Sequence, residues 1–433
     1  MTTPDESDAA TASRLALVDR RRRLLGAAYR LFYDDPVHLV RGENVWLYDP
    51  DGNAYLDAYN NVPCVGHCHP HVVAALTEQA AILNTHTRYL SEGILDYAER
   101  LLDCFPPELR SVIFTCSGSE ATDLAYRLAR SATGGTGFVV TSFAYHGGTV
   151  AIAELSPSLG SRVGVAPTTR CVPAPDPYRA SDEDPATRFA SDVRAAIADL
   201  TAHGIRPAAL LVDSIFASDG IFPDPVGVLA PAADAIREAG GVFIADEVQA
   251  GFGRTGHGMW GFGRHDVTPD IVTLGKAMGG GHPIAGVVAK PDILSEFGER
   301  SRYFNTCGGT PVSCRVGMAV LDVIERDALI DNARVVGSRL VEGLRGLGDR
   351  HEVIGDVRGA GLFIGVELVL DRVTREPATA ATAQLVNGLR RRRILVGSTG
   401  PHVNVLKIRP PLVFSQENAS FLLEALDDAL SEL

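Results

Sequence analysis

The feature that most constrains the fold is the alternation of short apolar runs with helical stretches after about residue 70. Each run is too short for a helix and is bounded by turn residues, which is typical of strands buried on both faces. This alternation predicts a mostly parallel sheet covered by helices. The predicted strands comprise residues 112–115, 138–141, 210–213, 242–246 and 271–274.

The two ends of the chain and one internal stretch show different patterns. Apolar residues at helical spacing predict a helix over 14–33, and a Pro-Gly-Asn turn at 49–53 predicts a hairpin. Residues 156–190 are rich in Pro, Ser and Asp and are predicted to be mostly loop. After residue 330, helices around a strand-like run at 361–368 predict a smaller α+β unit. The predicted domains are an N-terminal segment that belongs to the small domain (1–65), a large domain (66–330) and a C-terminal small domain (331–433).

Composition excludes several classes of function. The 433 residues carry a net charge of −13, which repels phosphate backbones and anionic lipid, so nucleic-acid and membrane-surface binding are not expected. The seven cysteines, an odd number without a Cys-x-x-Cys pair, indicate a reducing compartment. The acidic, polar N-terminus does not resemble a signal peptide, and no apolar run is long enough for a membrane span. These observations predict a soluble cytoplasmic protein.

A run of small residues follows the predicted strand 112–115 and begins a helical stretch. Its residues, Ser117, Gly118 and Ser119, leave the first N–H groups of the helix free, and the helix dipole adds partial positive charge there. That combination favours a bound phosphate. The same residues also suit an ordinary serine N-cap without a ligand, so this motif alone leaves both interpretations open.

Three further groups follow predicted strands, where the carboxyl edge of a parallel sheet faces the ligand crevice. Asp246 and Glu247 suit an acid or base, a metal ligand, a counter-ion or a structural cap. Lys276 precedes three glycines and suits either a Schiff base with a carbonyl compound or a surface turn. Tyr145 follows residues 138–141 and suits either stacking on a planar ring or simple packing.

A histidine-rich stretch, HCHPH at residues 67–71, looks superficially like the start of a metal site. The His-x-His spacing can ligate zinc, but no second cluster completes the four ligands that a structural zinc needs. The sequence therefore predicts that no metal is bound.

The order and spacing of the motifs are more specific than any one of them. In chain order the motifs are SGSEA (117–121), YHG (145–147), DEVQAGFGRTG (246–256) and GKAMGGG (275–281). Asp246, Lys276 and Thr306 follow one another at intervals of 30 residues. With these motifs the chain resembles, over residues 35–430, the class III aminotransferases, which are pyridoxal-phosphate (PLP) enzymes of fold type I. The resemblance implies a large domain with a mostly parallel sheet and a smaller α+β domain.

The resemblance also implies a role for each residue. Lys276 would form a Schiff base with the PLP aldehyde, and Asp246 would face the pyridine nitrogen. Tyr145 would stack on the ring, with Val248 and Gln249 beside the ring and its hydroxyl. The other implied PLP-binding residues are Gly118 and Ser119 at the phosphate, Thr306 of the partner subunit at the same phosphate, and Asp213. Such shared sites imply a homodimer, and pairing of dimers into tetramers stays open.

Seven further motifs carry a narrower resemblance. They are NNV (60–62), VGHCHP (65–70), LNT (83–85), RYL (88–90), YFNT (303–306), PVSC (311–314) and GDVRG (355–359). They are similar to one branch of the class, the ethanolamine-phosphate and phosphohydroxylysine phospho-lyases, whose substrates carry an amine and a phosphate ester. This resemblance implies a small amine substrate from which phosphate is eliminated, leaving an aldehyde and ammonia.

Departures from the family pattern keep an aminotransferase open as the alternative. Asp213-Ser214 stands where many members have Glu-Pro, and Ser218 replaces an acid that many of them use to mask a substrate-binding arginine. Arg409, in KIRPP at 407–411, matches the arginine that transaminases use for an α-carboxylate. The alternative activity is therefore transfer of an amino group from an amine or amino acid to an oxo acid. The candidate ligands for the substrate are Arg88, Asn60, Asn61, Lys407 and Arg409.

Overall fold

The computed structural model describes residues 6–179 and 183–433. Within these residues the helices are α1 (Glu6–Leu25), α2 (Pro70–Ala80), α3 (Glu92–Leu102), α4 (Gly118–Thr133), α5 (Val150–Ala153), α6 (Pro185–Ala202), α7 (Ala230–Glu238), α8 (Pro291–Arg300), α9 (Pro311–Arg326), α10 (Leu329–Gly348), α11 (Thr379–Arg391) and α12 (Gln416–Leu430). Short 3₁₀ turns occupy Pro157–Leu159, Gly261–His265 and Lys276–Gly279.

The strands within the same residues are β1 (Arg41–Glu43), β2 (Trp46–Tyr48), β3 (Ala54–Asp57), β4 (Ser111–Thr115), β5 (Gly137–Thr141), β6 (Thr169–Val172), β7 (Pro207–Asp213), β8 (Val242–Asp246), β9 (Ile271–Leu274), β10 (Ala285–Ala289), β11 (Ile354–Ala360), β12 (Phe363–Asp371), β13 (Glu376–Pro377), β14 (Ile394–Leu395), β15 (Gly397–Thr399) and β16 (Val405–Ile408).

Seven strands form the central sheet, in the order β4-β10-β9-β8-β7-β5-β6. Strand β10 runs antiparallel to both of its neighbours, and the other adjacent pairs are parallel. All five predicted strands lie in this sheet. The predicted α/β class with a mostly parallel sheet is therefore confirmed.

The central sheet is buried on both faces, because alternate residues of its strands enter two separate hydrophobic clusters. On one face, Leu210 of β7 and Phe243 of β8 belong to the same cluster as Phe189 of α6. On the other face, Leu211 belongs to the cluster that contains Leu124 of α4. Burial on both sides explains why these strands appear in the sequence as unbroken apolar runs.

Two smaller sheets complete the fold. One has the strand order β1-β2-β3-β14, and it contains the predicted hairpin as β2 and β3. The other has the order β11-β12-β16-β15, with β13 paired to β12. Parallel pairing of β3 with β14 joins the N-terminal segment to the C-terminal part of the chain. The domain limits at residues 65 and 330 stay predictions.

Some predicted elements differ from those observed. The helix predicted over 14–33 ends at Leu25, because Gly26 adopts a left-handed conformation (φ +68°) that ends a helix. Strand β6 lies inside the loop predicted over 156–190, of which residues 180–182 fall outside the described part of the chain. Strand β10 was not predicted, because its glycine and alanines have weak strand propensity and only packing between β4 and β9 specifies it.

The topology brings chemically useful residues to one edge of the sheet. Strands β4, β5, β7, β8 and β9 run in the same direction, so the segments that follow them converge at their carboxyl ends. In register, Asp213 of β7 lies opposite Asp246 of β8, and Asp246 lies opposite Thr273 of β9.

A close backbone contact between α10 and the turn after β11 gives the first prediction. A Cβ atom added at Gly337 would lie 2.0 Å from the carbonyl oxygen of Gly361, so Gly337→Ala should destabilise the protein by about 3 kcal/mol. Gly346 on the same helix has no atom within 4 Å of such a Cβ, so Gly346→Ala should leave the stability unchanged or raise it by up to about 1 kcal/mol. Thermal unfolding of both variants tests this, and equal melting temperatures would contradict it.

Candidate active site

A cavity of about 180 Å³ lies at the carboxyl edge of the central sheet. It is lined by Gly118, Ser119, Tyr145, His146, Gly147, Asp246, Val248, Gln249 and Lys276. Seven of these nine were predicted from the sequence to bind PLP. The structure thus brings together residues from four separate motifs, and the predicted roles of the individual residues stay predictions.

One end of the cavity is the N-terminus of α4. The Ser117 hydroxyl accepts from the N–H of Glu120 and caps the helix, while the Ser119 hydroxyl accepts from the N–H of Gly148 at 3.1 Å. Gly118 packs against Val248, where an added Cβ would lie only 3.0 Å from a methyl group. The free N–H groups of the first turn therefore border a tightly packed space that suits a phosphate.

A buried acid lies within the same cavity. Asp246 is 5% exposed, and its Oδ2 atom lies 2.7 Å from Nδ1 of His146. Its Oδ1 atom accepts hydrogen bonds from the N–H of Val248 at 3.1 Å and from the hydroxyl of Thr273 at 3.2 Å. These hydrogen bonds hold the carboxylate in one orientation.

Lys276 follows β9 and has a left-handed backbone (φ +39°), a conformation that is uncommon outside glycine. Its Nζ atom has no hydrogen-bond or ion-pair partner among the described residues. Burial, and next the charge of Arg409, lower the pKa of Lys276 to about 8, against the opposing effects of Asp246 and Asp213. About a tenth of this amine is therefore neutral at pH 7, far more than of an ordinary lysine, and the neutral form is the one that acts as a nucleophile or base.

Asp213 lies next to the cavity rather than in its wall. Its carboxylate accepts hydrogen bonds from the N–H groups of Ile215 at 3.0 Å and Ala217 at 3.3 Å. Burial, and next the like charge of Asp246, raise the pKa of Asp213 to about 6. The two aligned carboxylates therefore repel each other, while His146 and Lys407 act in the opposite direction on the pKa of Asp213.

Arg409 and Lys407 lie together behind the cavity wall. Arg409 donates to Oε1 of Gln249, a wall residue, and its guanidinium lies 4.5 Å from the ring centroid of Tyr59. Lys407 is 6% exposed and donates to the carbonyl oxygen of Ala217 at 3.2 Å. Both cations thus pair with neutral groups, and neither has a carboxylate within salt-bridge distance in the described part of the chain.

The other candidate substrate ligands are not brought to the cavity wall. Arg88 is exposed, and its guanidinium lies 3.9 Å from the ring centroid of Phe304. Asn60 lines a separate, mostly apolar cavity of about 200 Å³, and its side chain accepts from the N–H of Val62. Asn61 is buried. Their predicted role in substrate binding stays a prediction.

Thr306, the remaining predicted PLP ligand, is exposed and does not line the cavity of its own subunit. It lies in an irregular segment held by Asn305, whose side chain accepts from the N–H groups of Cys307 and Gly308. This placement suits a residue that is presented to another subunit, and the role of Thr306 stays a prediction.

The histidine-rich stretch makes ordinary contacts. His67 Nε2 lies 2.7 Å from Asp57, and His71 Nε2 lies 3.1 Å from Asp322. Within residues 6–179 and 183–433, no group of three or more His, Cys, Asp or Glu side chains is arranged to hold a metal ion.

Three residues that contribute to the site were not predicted, namely His146, Gly147 and Thr273. His146 lines the cavity and bonds to Asp246, and Thr273 bonds to the same carboxylate. His146 lies inside the YHG motif, next to Tyr145, so its position was a usable signal. Thr273 lies in an apolar strand, and only the register of β8 and β9 reveals its role.

The fold and this site define the chain as a PLP-dependent enzyme of fold type I. A model of the family described as Aminotransferase class-III matches residues 32–430. The chain therefore belongs to the class III aminotransferase family.

Relatives within this family carry names of two activities. A mitochondrial protein of Arabidopsis thaliana named alanine–glyoxylate aminotransferase 2 homolog 2 is 40% identical over 96% of this chain and 87% of its own length. A protein of Caenorhabditis elegans named ethanolamine-phosphate phospho-lyase homolog 1 is 37% identical over 97% of this chain and 94% of its own length. A solved structure of a phospholyase from Arthrobacter in complex with phosphoethanolamine has a TM-score of 0.93 and 42% identity, covering 96% of this chain and 100% of that one. These comparisons establish a lyase or an aminotransferase.

The residues present fit the cofactor of this family, PLP. An amine transaminase from an uncultivated Pseudomonas species, solved in its PLP-bound form, matches 92% of this chain and 95% of that one, with a TM-score of 0.85 and 27% identity. Here the cavity has the free N–H groups of a helix N-terminus at one end, a buried carboxylate in its wall and the unpartnered amine of Lys276. These three groups match the phosphate, the ring nitrogen and the aldehyde of PLP.

No helix in the two described ranges is long and apolar enough to cross a membrane.

Proposed function

We propose that this enzyme eliminates phosphate from ethanolamine phosphate or a similar amino phosphate ester. Ethanolamine phosphate and water would give acetaldehyde, ammonia and inorganic phosphate. Similarity to the phospholyase solved with phosphoethanolamine supports this substrate class.

The observation that carries the proposal is the pair of buried cations beside the cavity. Arg409 is 8% exposed and contacts the neutral amide of Gln249, and Lys407 contacts only a backbone carbonyl. Burying charges without ionic partners is costly, so these residues favour a ligand that brings negative charge. Two adjacent cations suit a phosphate dianion better than a single carboxylate.

PLP, when bound, supplies the electron sink that accepts the electron pair of the bond broken at the amine-bearing carbon. Lys276 would remove the proton from that carbon, a task for which its lowered pKa prepares it. Asp246 would stabilise positive charge at the ring nitrogen, and His146 would fix the orientation of that carboxylate. Arg409 would hold the phosphate group while it leaves the neighbouring carbon.

Phosphate release without an oxo acid tests this function. The holoenzyme is incubated with ethanolamine phosphate alone, and inorganic phosphate is measured over many turnovers. Sustained release is expected, because elimination returns the cofactor to its starting form without a second substrate. Release that stops at one equivalent per site, or no release, would rule out the lyase.

An aminotransferase is the alternative, and one observation favours it. Arg409 lies beside Gln249 at the cavity, where a single guanidinium could bind an α-carboxylate as a bidentate pair. Alanine with an oxo acid would then be consumed, and both would be required for turnover.

We propose a cytoplasmic location on the basis of the cysteine content. The mitochondrial name of the Arabidopsis relative makes cell fractionation the appropriate test.

The active form would be a homodimer with shared sites. Large apolar side chains are exposed close together in the sequence, with Ile82 at 77%, Tyr89 at 66% and Leu90 at 100%. Such a surface is typical of an interface. Phe304 is also exposed and contacts Arg88 from this segment, which supports an interface next to Thr306.

Mixed subunits test the shared site. Thr306→Glu should repel the cofactor phosphate in the partner's site, and Lys276→Ala should inactivate its own site. Each homodimer should therefore be nearly inactive, whereas the hybrid should have about half of the wild-type activity, since one of its two sites has both native residues. Co-expression with two affinity tags isolates the hybrid. A hybrid no more active than its parents would contradict sharing.

A further inference from the structure

Lys407 lies where charged groups from several elements converge. It belongs to β16, and its Nζ atom lies 5.5 Å from the ring centroid of Phe363 in β12. Arg409 lies over the same ring at 5.9 Å. The charged groups that act on Lys407 are Arg409, Asp213 at the end of β7 and Lys276 after β9. Ala217 O, from the loop after β7, is its hydrogen-bond acceptor.

Positive charge dominates this buried cluster. Three basic side chains, Lys276, Lys407 and Arg409, face the two carboxylates Asp213 and Asp246, so a proton on each of the three would leave excess positive charge. Burial, and next the charge of Arg409, lower the pKa of Lys407 well below its usual range. Without an added anion, the cluster therefore favours a neutral amine at Lys407.

Of the two basic side chains Lys407 and Arg409, only the lysine can respond to a ligand by changing its charge. An arginine guanidinium keeps its proton in proteins, so the charge of Arg409 is fixed. The whole chain contains only three lysines among 40 basic residues, namely Lys276, Lys290 and Lys407. Lys276 is expected to be linked to the cofactor, and Lys290 pairs with Asp270 at 2.6 Å. Lys407 is therefore the lysine of the cluster that has neither an expected covalent link nor an ion pair.

We propose that Lys407 is the proton-accepting member of the substrate's anion subsite: it is neutral while the subsite is empty and takes a proton from solvent when a dianion binds beside Arg409. The proton returns to solvent when the dianion leaves, and no other bond changes. Lys407 acts through charge rather than by contact with the ligand, and so is a positioning residue. This inference rests on the proposed function, because it explains how the site favours phosphate over carboxylate: a dianion stabilises the second cation more strongly than a monoanion.

Calorimetry of the holoenzyme tests the inference with sulfate, a tetrahedral dianion that does not titrate near neutral pH. Binding is measured at one pH in two buffers of different ionisation enthalpy, which gives the number of protons taken up. Wild type should take up as much as about one proton per site. The visible absorbance of the cofactor linkage at Lys276 reports its own protonation separately.

Three variants identify the acceptor. Lys407→Arg should bind sulfate without proton uptake, because its side chain is already charged. Lys407→Met should lose the uptake and bind sulfate at least about tenfold more weakly. Lys290→Met, which lies outside the cluster, should keep the wild-type uptake. If Lys407→Met fails to fold, comparing the proton uptake of Lys407→Arg with that of wild type still shows whether Lys407 accepts the proton.

Uptake by Lys407→Arg equal to that of wild type, or no uptake by wild type, would overturn the inference. Phosphate release from ethanolamine phosphate by the same wild-type preparation separates the two claims. Proton uptake without sustained phosphate release would refute the elimination and leave the anion subsite standing. Sustained release with unchanged uptake in the Lys407 variants would refute only the role of Lys407.

Discussion

Lys276→Ala is expected to lower sustained phosphate release by about 10³-fold or more while leaving the melting temperature near that of wild type. A positioned general base alone contributes about 10²- to 10⁴-fold. The amine has no partner to leave unsatisfied among the described residues, so its removal costs little stability. The measurement is phosphate release per active site, together with thermal unfolding.

The covalent role of Lys276 is read independently by chemical reduction. Borohydride should fix the cofactor to one lysine, and peptide mass mapping then has only three lysines to distinguish in this chain. The label should lie at Lys276 in wild type and be absent in Lys276→Ala. A label at Lys290 or Lys407 would refute the assignment.

Two controls show whether Lys276→Ala loses activity because the amine is missing or because the structure is disturbed. Lys290→Ala removes a lysine outside the cavity and should keep wild-type turnover. Added methylamine should partly restore Lys276→Ala, because the truncated side chain leaves room for a small free amine. It should not restore Lys276→Arg, in which a guanidinium fills that space and stays charged.

The large sheet was predictable because its strands are buried on both faces. Val242–Asp246 and Ile271–Leu274 coincide with their predicted limits, since turn residues bound each apolar run. Ala285–Ala289 escaped prediction because its pairing with two neighbours, rather than its own composition, makes it a strand. Hydrophobic runs in the sequence indicate which strands are buried, but they do not indicate which other segments become strands through tertiary packing.

The difference between local pattern and tertiary packing also explains why the cofactor residues were easier to predict than the substrate residues. The predicted cofactor residues other than Thr306 lie at strand ends or in the segments that follow them, and parallel strands bring such ends together. The substrate residues come from segments whose placement depends on long-range packing. Arg88 was predicted near the substrate but lies on Phe304, and Asn60 lines a different cavity. Only the structure shows Arg409 joined to Gln249.

Asp246→Asn is expected to lower phosphate release by about 10²- to 10³-fold, the range typical of removing one preorganised electrostatic contact. Asparagine has the same shape: its Oδ1 can keep the hydrogen bonds from Val248 and Thr273 while its Nδ2 donates to Nδ1 of His146, so the fold should persist. It carries no negative charge, so it cannot stabilise a proton on the ring nitrogen. Turnover measured beside thermal unfolding checks both expectations, and borohydride labelling at Lys276 should continue.

Glu247 is the matched control, because neighbouring residues at the end of a strand point to opposite sides. Its carboxylate accepts from the Ser214 hydroxyl at 2.7 Å and from the N–H groups of Gly261 at 2.7 Å and Phe262 at 2.8 Å. Glu247→Gln leaves one of these buried donors without an acceptor, so it should cost about 1–3 kcal/mol of stability and keep turnover at low temperature. If Glu247→Gln abolished turnover while Asp246→Asn kept it, the chemical role would belong to the other carboxylate.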